Sequence, residues 1–152
     1  MSRLILYLLS LGIFSFSCKK GDVDANSDPQ GYADSQVVGI WKITAVNADI
    51  AYDWDGNGIP ETDLYPALSV CDKDNLYTFN PDKTGSFKKN CNSTQPGEWQ
   101  IYQSSTLIII PATAPAELQK IISMTSVEFV TTVQVVAPSG QTITLSKTWS
   151  RQ

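Results

Sequence analysis

Between residues 53 and 61 the chain reads Asp53-Trp54-Asp55-Gly56-Asn57-Gly58-Ile59-Pro60-Glu61. Side-chain oxygens stand at positions 1, 3, 5 and 9 of this loop, with glycine at position 6. That is the opening of a calcium-binding loop, where alternate side chains converge only if the backbone wraps tightly at the glycine. Ile59 offers its carbonyl. Position 12 is Leu64 rather than glutamate, so Glu61 or Asp63 must supply any bidentate contact. Hard oxygen donors suit Ca²⁺, and the segment holds nothing soft for zinc or copper. The expected metal set is Asp53, Asp55, Asn57, Ile59, Glu61 and Asp63, with Ca²⁺ in a structural role. The competing reading is a solvated acidic turn.

Three cysteines carry further chemistry. Cys18 follows Arg3 and an apolar run from Leu4 to Phe16, the length of a signal-peptide core and short of the roughly 20 residues that span a bilayer. In an exported chain Cys71 and Cys91 are expected to form a disulfide. A turn over residues 80–85, Asn-Pro-Asp-Lys-Thr-Gly, folds them to within about three residues of register, which a bulge absorbs. Two free thiols are the alternative.

Other chemistries are thinly supplied. Histidine is absent, which removes Ser-His-Asp and Cys-His catalysis and His-ligated zinc. Serines and threonines have no visible base, and Asp72 and Asp74 read as solvated surface carboxylates, so no enzymatic activity is expected. With 11 Lys+Arg against 15 Asp+Glu there is no basic surplus for phosphates, and no nucleic-acid partner is expected. Lys147 stands out, because alternation puts it on the face of Ile143, Leu145 and Trp149. If that face is inward, its ammonium could pair with a carboxylate ligand; a bulge or a rim position would instead leave it in water.

The elements that must position these groups are strands. From Val37 onward apolar residues alternate with period two between short turns. Strands are expected over 37–46, with Trp41, Ile43 and Ala45 on one face, then 75–79, 85–89, 98–103, 106–110, 118–124, 127–136 and 141–150. Val127, Phe129, Val133 and Val135 share a face in the seventh. Residues 47–66 form a long loop without secondary structure, and 117–123 could instead be a helical turn. Eight sequential antiparallel strands can close an up-and-down barrel able to hold one small ligand; a two-sheet β-sandwich is the rival. Before them, residues 19–36 are rich in Lys, Gly, Asp, Asn, Ser and Pro and read as a flexible tether.

Two resemblances add to this reading. Ser15-Phe16-Ser17-Cys18 resembles the lipobox of bacterial lipoproteins, in which the cysteine takes a diacylglycerol and the chain is cut before it. Gly39-Ile40-Trp41 resembles the Gly-x-Trp signature of lipocalins, and Arg151 resembles the arginine that crosses over that tryptophan at the closed end of the barrel. Gly-x-Trp, an Asp-Gly-Asn-Gly loop and the run from Cys71 to Phe79 resemble, in that order, lipocalin-like lipoproteins of the Bacteroidetes type. The resemblance implies a signal peptide over 1–17, a tether over 18–36 after lipidated Cys18, and an all-β, eight-stranded lipocalin-like barrel over 37–152. It implies an exported protein, lipid-anchored at the outer membrane. It also implies a small apolar or amphipathic ligand, with Trp41, Tyr77, Phe79, Trp99, Phe129, Lys147 and Trp149 as candidate lining. The alternative is a filled barrel of structural role that contacts an envelope protein or a glycan.

Overall fold

The computed structural model describes residues 32–88, 91, 94–103 and 105–152. The expected signal peptide, Cys18 and the tether up to residue 31 lie outside the described residues. The last residues of the expected tether are docked on the barrel. Tyr32 packs on the core and its hydroxyl donates to the Ile122 carbonyl at 3.0 Å. A one-turn helix, α1 (Asp34–Val37), follows, and Val37 is fully buried.

Nine strands follow among the described residues. They are β1 (Gly39–Tyr52), β2 (Glu61–Asp63), β3 (Leu76–Phe79), β4 (Thr84–Lys88), β5 (Gln95–Tyr102), β6 (Thr106–Pro111), β7 (Glu117–Met124), β8 (Glu128–Val136) and β9 (Thr142–Arg151). A second one-turn helix, α2 (Val70–Lys73), sits between β2 and β3 with Ser69 as its cap, accepting from the Asp72 amide. All pairings are antiparallel, and β1 pairs with β3 on one edge and with β9 on the other. The sheet of β1 and β3–β9 therefore closes on itself as an eight-stranded barrel. Closure rules out the two-sheet sandwich, which leaves free edges. Residues 117–123 belong to β7 and are not a helical turn.

The first strand differs most from expectation. Val37 is helical, because its carbonyl turns to accept the Trp41 indole N–H at 2.7 Å. A bulge between Ile43 and Ala45 shifts the register against β9. The inward face thereby moves from Trp41 and Ile43 to Val46 and Ala48, and Ala45 loses its expected place. β1 then runs on to Tyr52, where β2 pairs back on it through Asn47↔Asp63 and Tyr52↔Glu61. The expected structureless loop is thus a β-hairpin with its tip over residues 53–60, followed by α2. Val127 lies outside β8 and is 64% exposed, so it does not share the inward face of Phe129.

Inward residues divide into two clusters. At one end Trp41, Tyr77, Phe79, Phe87, Trp99, Phe129 and Trp149 pack with Val37, Leu107, Ile109 and Ile121. Phe129 stacks on Trp149 at 5.1 Å between centroids, and Trp41 meets Phe129 edge-on at 4.6 Å. Each such side chain contributes about 1.5–3 kcal/mol through burial, so this end is a solid plug. The second cluster, around Val46, Ala48, Leu64, Ile143 and Leu145, is lined by smaller groups and lies toward the β1–β2 hairpin.

Candidate functional site

The plug is latched from outside by one side chain. Arg151 Nη1 donates to the Val38 carbonyl at 2.7 Å, Nη2 to Gln36 at 3.0 Å and Nε to Ser126 at 2.6 Å. Its guanidinium lies over the Trp41 ring, 4.3 Å from the centroid. Gly39 makes this possible. Its φ is +143°, and a Cβ there would collide with Arg151 Nη1.

Beyond the plug the barrel holds a cavity of about 300 Å³. Its walls are Ile43, Val46 and Leu145 from the strands, and Leu64, Leu68 and Trp54 from the segment between β1 and α2. Polar groups reach it from Asp72 and Asn75 near α2, from Tyr77, and from Glu117 and Lys147. Burial, with the Asp72 charge adding to it, pushes the Tyr77 hydroxyl up to about 12. Burial pushes the Lys147 ammonium down.

A buried polar relay ties the plug to this cavity. Trp149 Nε1 donates to Thr131 Oγ1 at 2.9 Å, and Thr131 donates in turn to Gln119 Oε1 at 2.7 Å. Gln119 Nε2 donates to Glu117 Oε2 at 3.3 Å. Thr131 and Gln119 are wholly buried, so each hydrogen bond offsets a desolvation cost of about 1–3 kcal/mol.

Of the expected lining residues only Tyr77 and Lys147 reach the cavity. Trp41, Phe79, Trp99, Phe129 and Trp149 do not: large rings on adjacent strands meet across a narrow barrel and fill it. Of the residues that line it from outside the strands, Trp54 and Leu64 come from the segment read as an irregular loop, and Leu68 lies just beyond it. The signal for them was present in the apolar side chains interrupting an acidic stretch.

The acidic hairpin tip gathers part of its expected set. Carboxylate oxygens of Asp53, Asp55 and Glu61 lie within 4.8 Å of one another. Asp53 Oδ1 and Glu61 Oε2 are buried and accept no hydrogen bond. Asn57 bridges the group, its Nδ2 donating to Asp55 at 3.0 Å and Glu61 at 3.3 Å. Gly58, at φ +87°, turns its amide onto Asp53 Oδ2 at 2.9 Å. Asn57 Oδ1 is occupied by the Ile59 amide. Asp63 stands apart and accepts from the Tyr65 amide at 3.2 Å.

Cys71 and Cys91 are joined by a disulfide with Cα atoms 4.7 Å apart. It pins α2, and with it the Asp72 side of the cavity, to the segment after β4. Asp74, on the same turn, pairs with Lys42 at 3.1 Å.

A closed eight-stranded barrel, plugged at one end under an arginine and hollow at the other, defines a class of protein. The chain belongs to the lipocalin-like domain family, whose pattern matches residues 37–131. Similar solved structures include a deswapped triple mutant of bovine odorant binding protein, at 15% identity and TM-score 0.41 over 77% of this chain and 74% of that one. Another is bovine odorant binding protein in complex with a selenium-containing odorant, at 13% identity and TM-score 0.43, over 84% and 78% respectively. No curated protein matches the chain.

Proposed function

We propose that this protein carries one small apolar or amphipathic molecule in the open end of its barrel, and that it does so as an exported lipoprotein anchored through Cys18. The observation that carries the ligand reading is the cavity of about 300 Å³. It has apolar walls and a few polar groups, and its volume is at the lower end of small-molecule sites. The lipobox resemblance at residues 15–18 supports the anchor. Two acyl chains hold a soluble domain on a bilayer far better than one, and the outer membrane is the proposed address.

Asp53, Asp55 and Glu61 would hold a calcium ion at the hairpin tip. Two buried carboxylate oxygens without hydrogen-bond donors fit a cation there. Its role would be to fix Trp54 and the β1–β2 hairpin at the cavity entrance. No catalytic step is proposed.

Native mass spectrometry of the exported protein, purified without chelator, tests the ligand. A small-molecule adduct lost on collisional activation is the expected result. Bare protein that also refuses every added amphiphile would overturn the reading and favour the interaction-protein alternative. Labelling with a radioactive fatty acid, abolished by Cys18→Ser, tests the anchor.

A further inference from the structure

We propose that the molecule bound in this cavity is a small amphipathic carboxylate, held with its acid group inward against the Lys147 ammonium and its apolar part toward Leu64 and Leu68. This rests on the reading of the cavity as a ligand site and names the class of ligand.

Register places Lys147 deep. It pairs with Val46 on β1 and with Thr131 on β8, one rung above the Phe129–Trp149 rung of the plug. Leu145, one rung further out, faces Ala48 and Val133. The basic group therefore rises from the floor, while Leu64, Leu68 and Trp54 close over from the far side.

The other polar groups at the floor are already engaged. Thr131 donates to Gln119 and accepts from Trp149, and the Gln119 amide is spent on Glu117. Asp72 accepts from the Ser69 hydroxyl at 2.7 Å, at the α2 end of the cavity. Lys147 makes no ion pair or hydrogen bond with any described residue. A half-buried ammonium of this kind is costly until an anion meets it. Burial disfavours its charged form. A neutral ligand would leave the cost in place; an ammonium ligand would add to it. A carboxylate removes it, and its tail meets the apolar walls.

Calorimetric titration of the intact exported protein with decanoate, 1-decanol and decylammonium tests this. These share a tail and differ in head charge. At neutral pH decanoate is expected to bind at least about tenfold tighter than decanol, the usual scale of one charge-assisted contact. Lys147→Met should remove that preference, whereas Lys147→Arg should keep it. The preference should also fade on raising the pH, as the ammonium gives up its proton. Equal affinity for decanoate and decanol in the native protein, or tighter binding of decylammonium, would overturn the head-group assignment. So would a preference that survives Lys147→Met. Decanol binding in those cases would leave the cavity reading standing, and failure of all three probes would remove both. Should Lys147→Met fail to fold, the pH dependence of the native protein decides.

Discussion

Arg151 shows how much one side chain can hold. Its three donors satisfy carbonyls on two separate segments, Gln36 and Val38 on one and Ser126 on the other, and its flat face covers Trp41. Charge-assisted hydrogen bonds contribute about 1.5–3 kcal/mol apiece where desolvated, and the ring contact about 0.5–2 kcal/mol. Arg151→Ala is expected to lower stability in urea unfolding by about 3 kcal/mol. Arg151→Lys should recover little, since an ammonium lacks the planar fork. Tyr77 gives a second prediction. Its hydroxyl titrates near 10 in the unfolded chain and near 12 in the folded one. The folded state thus keeps the proton longer, and stability present below pH 10 falls as the pH rises to 12. The loss amounts to about 2–3 kcal/mol. Lys147 acts oppositely and at lower pH: its lowered value makes stability rise as the folded ammonium loses its proton, and the rise is complete once the unfolded chain's ammonium has titrated. Tyr77→Phe should therefore flatten the alkaline fall in thermal midpoint, and Lys147→Met should remove the rise that precedes it. Alternation alone places Lys147 inward. The cavity's outer wall was not legible in the same way, because Leu64 and Leu68 belong to no periodic run.

At the scale of elements, the β1–β2 hairpin and α2 decide how the cavity is closed. Three carboxylates crowd the hairpin tip, with only the Asn57 amide and backbone N–H groups between them. Millimolar calcium is expected to raise the thermal midpoint, and Asp53→Asn with Glu61→Gln should abolish that rise. A midpoint indifferent to calcium in the native protein would remove the metal. Cys71 and Cys91 lie 20 residues apart, and closing such a loop is worth about 3 kcal/mol in the chain-entropy model. Reduction should cost about that much in urea unfolding and loosen α2 first. The calcium-like spacing was legible in the sequence, and so was the cysteine pair. The pairing of β2 with β1 was not. Glu61-Thr62-Asp63 has no apolar alternation, and its strand exists only because β1 outruns the barrel and offers it an edge.

The whole molecule is built with opposite ends: one packed solid with rings, the other hollow. Hydrogen exchange should follow that division. Amides of β8 and β9 around Phe129 and Trp149 are expected to exchange last, through global unfolding, and those of the β1–β2 hairpin first. Most strand positions could be read in advance, because one face of each strand meets water and the other meets the core. Closure could be anticipated only from strand number. It is secured by features that period-two patterning does not encode: the Ile43–Ala45 bulge and the register of Trp41 with Arg151. That register carries a consequence for synthesis. The seam joins residues more than a hundred positions apart, and contacts of such sequence separation form late and slowly. A nascent chain that has not yet delivered β9 has no partner for the free edge of β1, nor a guanidinium to seat on Trp41. Until then it is an open ribbon, and it becomes a closed vessel only once its last strand has arrived.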